Sequence, residues 1–256
     1  MIFGSAWFSA IIVAILAFLL EIVDASLGMG YGTILTPVLL MLGFDPLQVV
    51  PAVLISQLAG DFLAAFFHHE FKNINLSIGS KDMKVALTLA LLSLTGAIIA
   101  VMVAVNLPKL YLNLYIGLLV TILGLIVLIT RNKDYDFSWL RLLVLGLLAA
   151  FNKGISGGGY GPIVTSGQIV TGIDARSAIG ITSLVEGIVS IVSVIMYVLI
   201  GTGIDWSLSL SLTIGVAFST PVAAFIVSKA GSRKIRLAIG ITTLLLGLMT
   251  TLKVFL

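Results

Sequence analysis

The sequence predicts an all-α integral membrane protein of about eight full transmembrane helices plus two short broken or re-entrant ones, in two inverted-topology repeats. Three observations carry that prediction. Of 256 residues, 59% are hydrophobic and 10% charged, against about 45 to 50% and about 25% in an ordinary soluble domain. With a mean hydropathy of +1.21, too few polar side chains remain to cover a folded surface, so lipid must be the solvent. Long apolar runs alternate with short polar gaps, and one glycine-rich segment occurs twice.

In chain order the first full run covers 6–27. It lacks a basic leading region and reads as a retained helix, not a cleaved signal. Full runs follow at 46–67, 84–106, 110–130, 139–155, 175–200, 206–228 and 235–254; about 20 apolar residues span a bilayer. Two shorter runs, 33–42 and 163–171, each follow a glycine cluster. At 1.5 Å per residue such a run covers only about 15 Å, half a membrane. Trp7, Trp139 and Trp206 each open a run, where an amphipathic ring suits the headgroup level.

Laying Tyr31 on Tyr160 aligns 28–50 with 157–179 without a gap. Gly28, Gly30, Tyr31, Gly32, Ile34, Thr36, Gly43 and Asp45 recur as Gly157, Gly159, Tyr160, Gly161, Ile163, Thr165, Gly172 and Asp174, where composition alone gives about two identities. Ile116, Gly117, Leu123, Gly124 and Leu125 recur as Ile239, Gly240, Leu246, Gly247 and Leu248. The seven-residue glycine spacing puts both glycines on one helix face, for close packing. The halves are 1–130 and 131–256, five segments each, together one membrane domain.

A formal charge of +3 and a pI near 9.2 do not describe a nucleic-acid footprint, because the basic residues cluster in short gaps. Lys72, Lys81 and Lys84 mark one, Arg131, Lys133 and Arg141 a second, and Lys229, Arg233, Lys234 and Arg236 a third. The positive-inside rule puts all three in the cytoplasm of a plasma-membrane protein. From the second gap the chain must reach the outside by residue 201, an odd number of crossings. A broken element supplies the odd crossing, and the halves then start from opposite sides. Glycine-interrupted elements at matching positions of inverted repeats point to a transporter site.

Backbone unwound at membrane depth is tolerated where it lines a protein-enclosed, wet cavity. A short helix starting there aims its N–H groups and positive dipole end inward, which favours an anion. The predicted substrate site is therefore Gly28, Gly30, Tyr31, Gly32 and Thr36 from the first half. The second half offers Lys153, Ser156, Gly157, Gly158, Gly159, Tyr160, Thr165, Ser166 and Gln168. Glu21, Asp24, Asp61, Lys153 and Glu186 fall inside apolar runs, at a cost of about 2.5 to 3.5 kcal/mol each at the bilayer centre. Asp24, Gln57, Asp61 and Glu186 are the coupling candidates, with a proton as the coupling ion. Glu21 is expected near an interface. Asp24 and Lys153 occupy equivalent repeat positions, so an ion pair is the alternative reading of both.

Other chemistry is excluded more simply. The chain has no cysteine, hence no disulfide or thiolate metal site. His68-His69-Glu70 lacks further ligands and reads as a loop at the interface rather than a metal site. No nucleophile has a base within reach, so no enzyme, metal or cofactor is expected. The partners expected are a small anion, a coupling proton and lipid; a homo-oligomer is left open. An anion channel built from the same half-helices is the other class open.

At its glycine clusters the chain resembles the sulfite exporter TauE/SafE family, over essentially its whole length. The resemblance rests on Gly157-Gly158-Gly159, Gly172, Ala175 and the stretch Ala178-Ile179-Gly180-Ile181-Thr182-Ser183 in the second copy. In the first it rests on Gly28, Gly30, Gly32, Pro37, Gly43, Ala52 and Ser56. The first copy departs from a glycine triplet by placing Met29 and Tyr31 between glycines. The resemblance implies export of sulfite or a small organosulfonate.

Overall fold

A computed structural model describes residues 6–44, 46–104, 109–130, 132–133, 135–156, 160–200 and 203–252. Among them the chain forms ten α-helices and no strand. They are α1 Ala6–Leu27, α2 Tyr31–Met41, α3 Pro46–Glu70, α4 Lys81–Ala104, α5 Lys109–Ile129, α6 Trp139–Ser156, α7 Tyr160–Val170, α8 Ala175–Ile200, α9 Trp206–Lys229 and α10 Ser232–Leu252. Eight have 18 to 26 residues, whereas α2 and α7 have 11 each. Four windows among the described residues are long and apolar enough to cross a membrane: Ala10–Leu27, Gln48–Glu70, Ala175–Leu199 and Trp206–Lys229. Gly117–Ile129 and Trp139–Ala149 are shorter apolar helical stretches.

The helices turn their apolar faces outward as well as inward. On α1, Ile11, Ile15, Leu19 and Val23 recur every fourth residue and are exposed, one stripe of a 3.6-residue helix. In the same element Glu21 and Asp24 are buried. Polar residues inside and aliphatic ones outside is the distribution expected of a bundle solvated by lipid. Trp139 and Trp206 open α6 and α9 and are exposed; Trp7's side chain lies outside the described residues. Asp205 caps α9, its Oδ1 accepting from the Leu208 amide at 3.0 Å, which stabilises a helix start by about 1 kcal/mol.

The packing pairs α5 with α10, α1 with α9, α4 with α6, α3 with α8 and with α9, and α4 with α8. The short helices α2 and α7 sit against α3 and α8 respectively. Glycine sets the closest approach. A Cβ on Gly124 would lie 2.5 Å from the Leu244 amide nitrogen, and one on Gly117 would collide with Thr251; Gly247 is equally tight against Thr121, and Gly240 against Leu128. As residue numbers rise along α5 they fall along α10, so the two helices run antiparallel, and each helix lends its glycines to the other. The shared helix face expected of these four glycines is thus a backbone-to-backbone seam.

His68 and His69 depart from the expected loop. Both lie in the last turn of α3, and His68 is fully buried. Its Nε2 bonds the Ala25 carbonyl of α1 at 2.8 Å and its Nδ1 meets the Asn73 amide at 3.0 Å; that amide also donates to the Ala224 carbonyl of α9 at 2.8 Å. The Asn73 donor fixes the neutral tautomer with the proton on Nε2. The pair is a buried polar clasp among α1, α3 and α9, which the polar neighbours at 72–77 hid in the sequence.

Candidate functional site

The first glycine cluster breaks the chain between α1 and α2. Gly28 has φ +70° and Gly30 φ +126°, a left-handed region open to glycine at little cost. The helix resumes when the Ile34 amide donates to the Gly30 carbonyl at 3.0 Å. In the second cluster Gly157, Gly158 and Gly159 lie outside the described residues, as do the side chains of Lys153 and Ser156. The expected Lys153–Asp24 pair and Lys153's substrate contact lie there too.

The two interrupted regions touch. Thr165 Oγ1 of α7 donates to the Gly28 carbonyl at 2.9 Å, satisfying an acceptor that unwinding would otherwise orphan. A Cβ on Gly161 would stand 2.5 Å from that same oxygen and 3.0 Å from Met29 Cα. Both glycines are therefore required for the first turn of α7 to rest on the break of the other half.

Thr165, Ser166 and Gln168, three of the neutral donors expected to hold an anion, are engaged with protein partners. Thr165 also meets Thr182 Oγ1 at 3.0 Å, and Gln168 Nε2 donates to Thr182 at 2.9 Å. Ser166 meets Thr243 of α10 at 2.8 Å, and Thr243 reaches Met29 Sδ at 3.3 Å. These hydroxyls latch α7 to α8, α10 and the first break. One acceptor stands apart: Gln168 Oε1 is buried without a hydrogen-bond partner among the described residues. The first turn of α7 carries amides at Tyr160, Gly161 and Ile163, while Pro162 has no N–H.

The start of α2 is occupied differently. The Tyr31 amide donates to Asp24 Oδ1 at 2.9 Å, so the positive end of α2 faces a carboxylate supplied by the protein itself. Gly32 lies against the Gln57 side-chain amide, 3.2 Å from where its Cβ would be, and Thr36 is half-buried. Tyr31 and Tyr160, equivalent in the repeat, both bury their hydroxyls on a serine. Tyr31 meets Ser56 of α3 at 2.8 Å, and Tyr160 meets Ser93 of α4.

Of the coupling candidates, three converge. Asp24, Asp61 and Glu186, from α1, α3 and α8, each place a carboxylate oxygen within 4.8 Å of the others, and all three are buried. Gln57, also of α3, is not one of the three and lies against Gly32 of α2 instead. Glu21, expected near an interface, is 1% exposed; it lies one turn before Asp24 on the inward face of α1, a spacing that could have grouped the two in the sequence. Ser93 and Thr243 carry polar contacts that no local pattern marked, and Ser56 and Thr182 stood out only in the family motifs.

The sequence pattern of the sulfite exporter TauE/SafE family matches residues 13–250. The protein named "Probable membrane transporter protein YtnM" of Bacillus subtilis (strain 168) is 27% identical over 232 residues, covering 86% of this chain and 75% of that one. The match takes in both glycine breaks, the carboxylate trio and the α5–α10 seam, so this chain is a multi-pass membrane protein and belongs to the sulfite exporter TauE/SafE family.

Proposed function

We infer that the protein is a secondary transporter that exports sulfite or a small organosulfonate across the cytoplasmic membrane by alternating access. The eight long helices cross the bilayer, while α2 and α7 each reach partway, α7 resting on the break that precedes α2. The halves are inverted. Exchanging α1–α5 for α6–α10 turns α1·α9 into α6·α4, α3·α9 into α8·α4, and α2·α3 into α7·α8, and every one of these pairs is in contact. It also maps α5 onto α10, its antiparallel partner, as a two-fold axis in the membrane plane requires.

The observation that carries the anion reading is the Asp24 carboxylate on the amide of Tyr31. It supports an oxyanion as the group that an interrupted-helix start here would accept. The position equivalent to Asp24 in the other half is Lys153, a residue that would attract an external anion instead of replacing it. The α7 start, with Lys153 and the 156–161 segment, is then the substrate end. The buried acids supply the coupling charge, and the hinges are the two glycine breaks. An inside-negative membrane potential favours exit of a monoanion by about 2.3 kcal/mol per 100 mV.

Flux of sulfite and of a small sulfonate into or out of proteoliposomes, with and without imposed pH and ion gradients, tests the reading. Saturable flux that Lys153→Ala weakens about tenfold or more in apparent affinity is expected. Unchanged affinity in that variant removes Lys153 from the site. Absence of flux for both anions overturns the substrate class, and single-channel currents would replace the carrier with a channel.

A further inference from the structure

A cavity of about 380 Å³ opens where the end of α3, the 71–80 loop, the start of α4 and the start of α8 meet, lined by His69, Lys72, Asn73, Asn75, Asp82 and Ser177. Its volume falls in the range of about 300 to 1,000 Å³ typical of small-molecule sites. Lys72 belongs to the first basic gap, which the positive-inside rule gives to the cytoplasm. Neither glycine break contributes to this cavity.

Opposite charges line it without neutralising each other. Among the described residues neither Lys72 nor Asp82 joins an ion pair. Asp82 Oδ2 accepts from the Asn75 amide at 2.9 Å and from Ser177 Oγ at 3.3 Å, which holds the carboxylate in place and leaves Oδ1 open. His69 is held at Nδ1, 3.2 Å from both the Leu76 amide and the Ile74 carbonyl, so its Nε2 is free, as is the side-chain nitrogen of Asn75. Asn73 Oδ1 is buried with no hydrogen-bond partner among the described residues. The backbone adds an independent sign. Lys72 has φ +59°, the one non-glycine residue at positive φ among those described. Its amide donates to the His69 carbonyl at 3.0 Å and that of Asn73 to the His68 carbonyl at 2.8 Å, a helix ending whose left-handed position is usually glycine. Carried along α3 and α8, the repeat offset puts Gly201 where Lys72 stands. The first half thus keeps a charged side chain where the backbone favours none.

We propose that this cavity binds a small zwitterion, an ammonium joined by a short carbon chain to a carboxylate or sulfonate. The oxyanion is taken by Lys72, with His69 Nε2 and the Asn75 side-chain amide beside it, and the ammonium by Asp82 Oδ1. A lone anion would meet the Asp82 carboxylate, and a lone cation would meet Lys72. Only a molecule that carries both charges satisfies both walls. Ser177 comes from the second half and the other five residues from the first, so an occupant favours the arrangement of the halves in which the cavity is formed. The inference goes beyond the transport reading and stands without it, since binding is measured without flux.

The test is equilibrium dialysis of radiolabelled β-alanine and of radiolabelled 2-aminoethanesulfonate against the purified protein in detergent, at constant ionic strength. Saturable binding is expected, with propionate, ethanesulfonate and ethylammonium, which each keep one charge, displacing the label about tenfold or more less effectively than the unlabelled zwitterion. Lys72→Gly should weaken binding about tenfold or more while its thermal melt holds or rises, because glycine takes φ +59° more readily. A lysine serving only the helix end would move the melt and not the binding. Asp82→Asn should weaken binding by a similar factor, and Lys84→Gln, outside the cavity, should leave it unchanged. No saturable binding of either zwitterion up to about 10 mM overturns the proposal, as does equal displacement by any of the singly charged compounds. Binding kept in Lys72→Gly but lost in Lys153→Ala overturns it too, by assigning the zwitterion to the start of α7. Should Asp82→Asn fail to fold, Lys72→Gly still decides.

Discussion

The two short helices α2 and α7 descend from the same repeated sequence and are each 11 residues long, yet their starts are wired in opposite ways. The α2 amide end is closed by Asp24, and its Gly32 faces only a side-chain amide. The α7 end rests through Gly161 on the backbone of the other half, and nearly all of α7 is buried. The repeated sequence supplies the same break twice, with Asp24 in one copy where Lys153 stands in the other. On the proposed function, that exchange closes the first break and leaves the second for an anion. Symmetry was kept where it is mechanical, along the α5–α10 glycine seam.

The strongest way to break this comparison is to place a methyl group at the two equivalent glycines. In Gly161→Ala the new Cβ falls 2.5 Å from the Gly28 carbonyl and 3.0 Å from Met29 Cα. Both are main-chain atoms that cannot swing away, so overpacking should cost about 1 to 3 kcal/mol and abolish flux. In Gly32→Ala the Cβ meets the Gln57 amide at 3.2 Å, and that flexible end can turn. A thermal melt should fall by about 2 to 10 °C for Gly161→Ala and barely move for Gly32→Ala. Equal losses would mean that the two starts are equivalent after all.

The next effect concerns charge alone. Asp24→Asn keeps an acceptor for the Tyr31 amide, and asparagine is as good a cap as aspartate, so the melt should stay within about 1 kcal/mol of the parent. If the α2 start is closed by the protein itself, the apparent affinity for sulfite in a flux assay should shift far less than in Lys153→Ala. A tenfold gain in anion affinity in Asp24→Asn would show instead that Asp24 had been competing with substrate for α2.

The element order was readable because hydrophobic length and glycine clusters are local. The expected runs at 139–155 and 206–228 became Trp139–Ser156 and Trp206–Lys229, and those at 33–42 and 163–171 became Tyr31–Met41 and Tyr160–Val170. What stayed hidden is decided by packing between distant segments. The burial of Glu21 depends on which face of α1 turns inward, which its place along the run does not carry. His68 looked like part of a polar loop, but Ala25 and Asn73 take it inside. The meeting of Asp24, Asp61 and Glu186 requires α1, α3 and α8 to converge, which no single window of sequence carries. The inward-facing hydroxyls of Thr165 and Ser166 were visible as donors, while their protein partners, Thr182 and Thr243, lie 17 and 77 residues away.

The smallest effect separates stability from motion. Tyr31 and Tyr160 each lose one buried hydroxyl bond on replacement by phenylalanine. Ser56 already donates to the Val53 carbonyl at 2.9 Å and Ser93 to that of Leu89 at 2.7 Å, so in both pairs the tyrosine is the donor. Each change should therefore cost about 0.5 to 1.5 kcal/mol, and the two melts should fall together. The partners differ in kind, because Ser56 belongs to α3 of the same half as Tyr31, whereas Ser93 belongs to α4, across from the half that carries Tyr160. If alternating access moves one half against the other, only the second bond is made and broken in each cycle. Tyr160→Phe should then change the maximal flux rate while Tyr31→Phe leaves it as it was. Identical rates in both variants would place the moving boundary elsewhere than between α4 and α7.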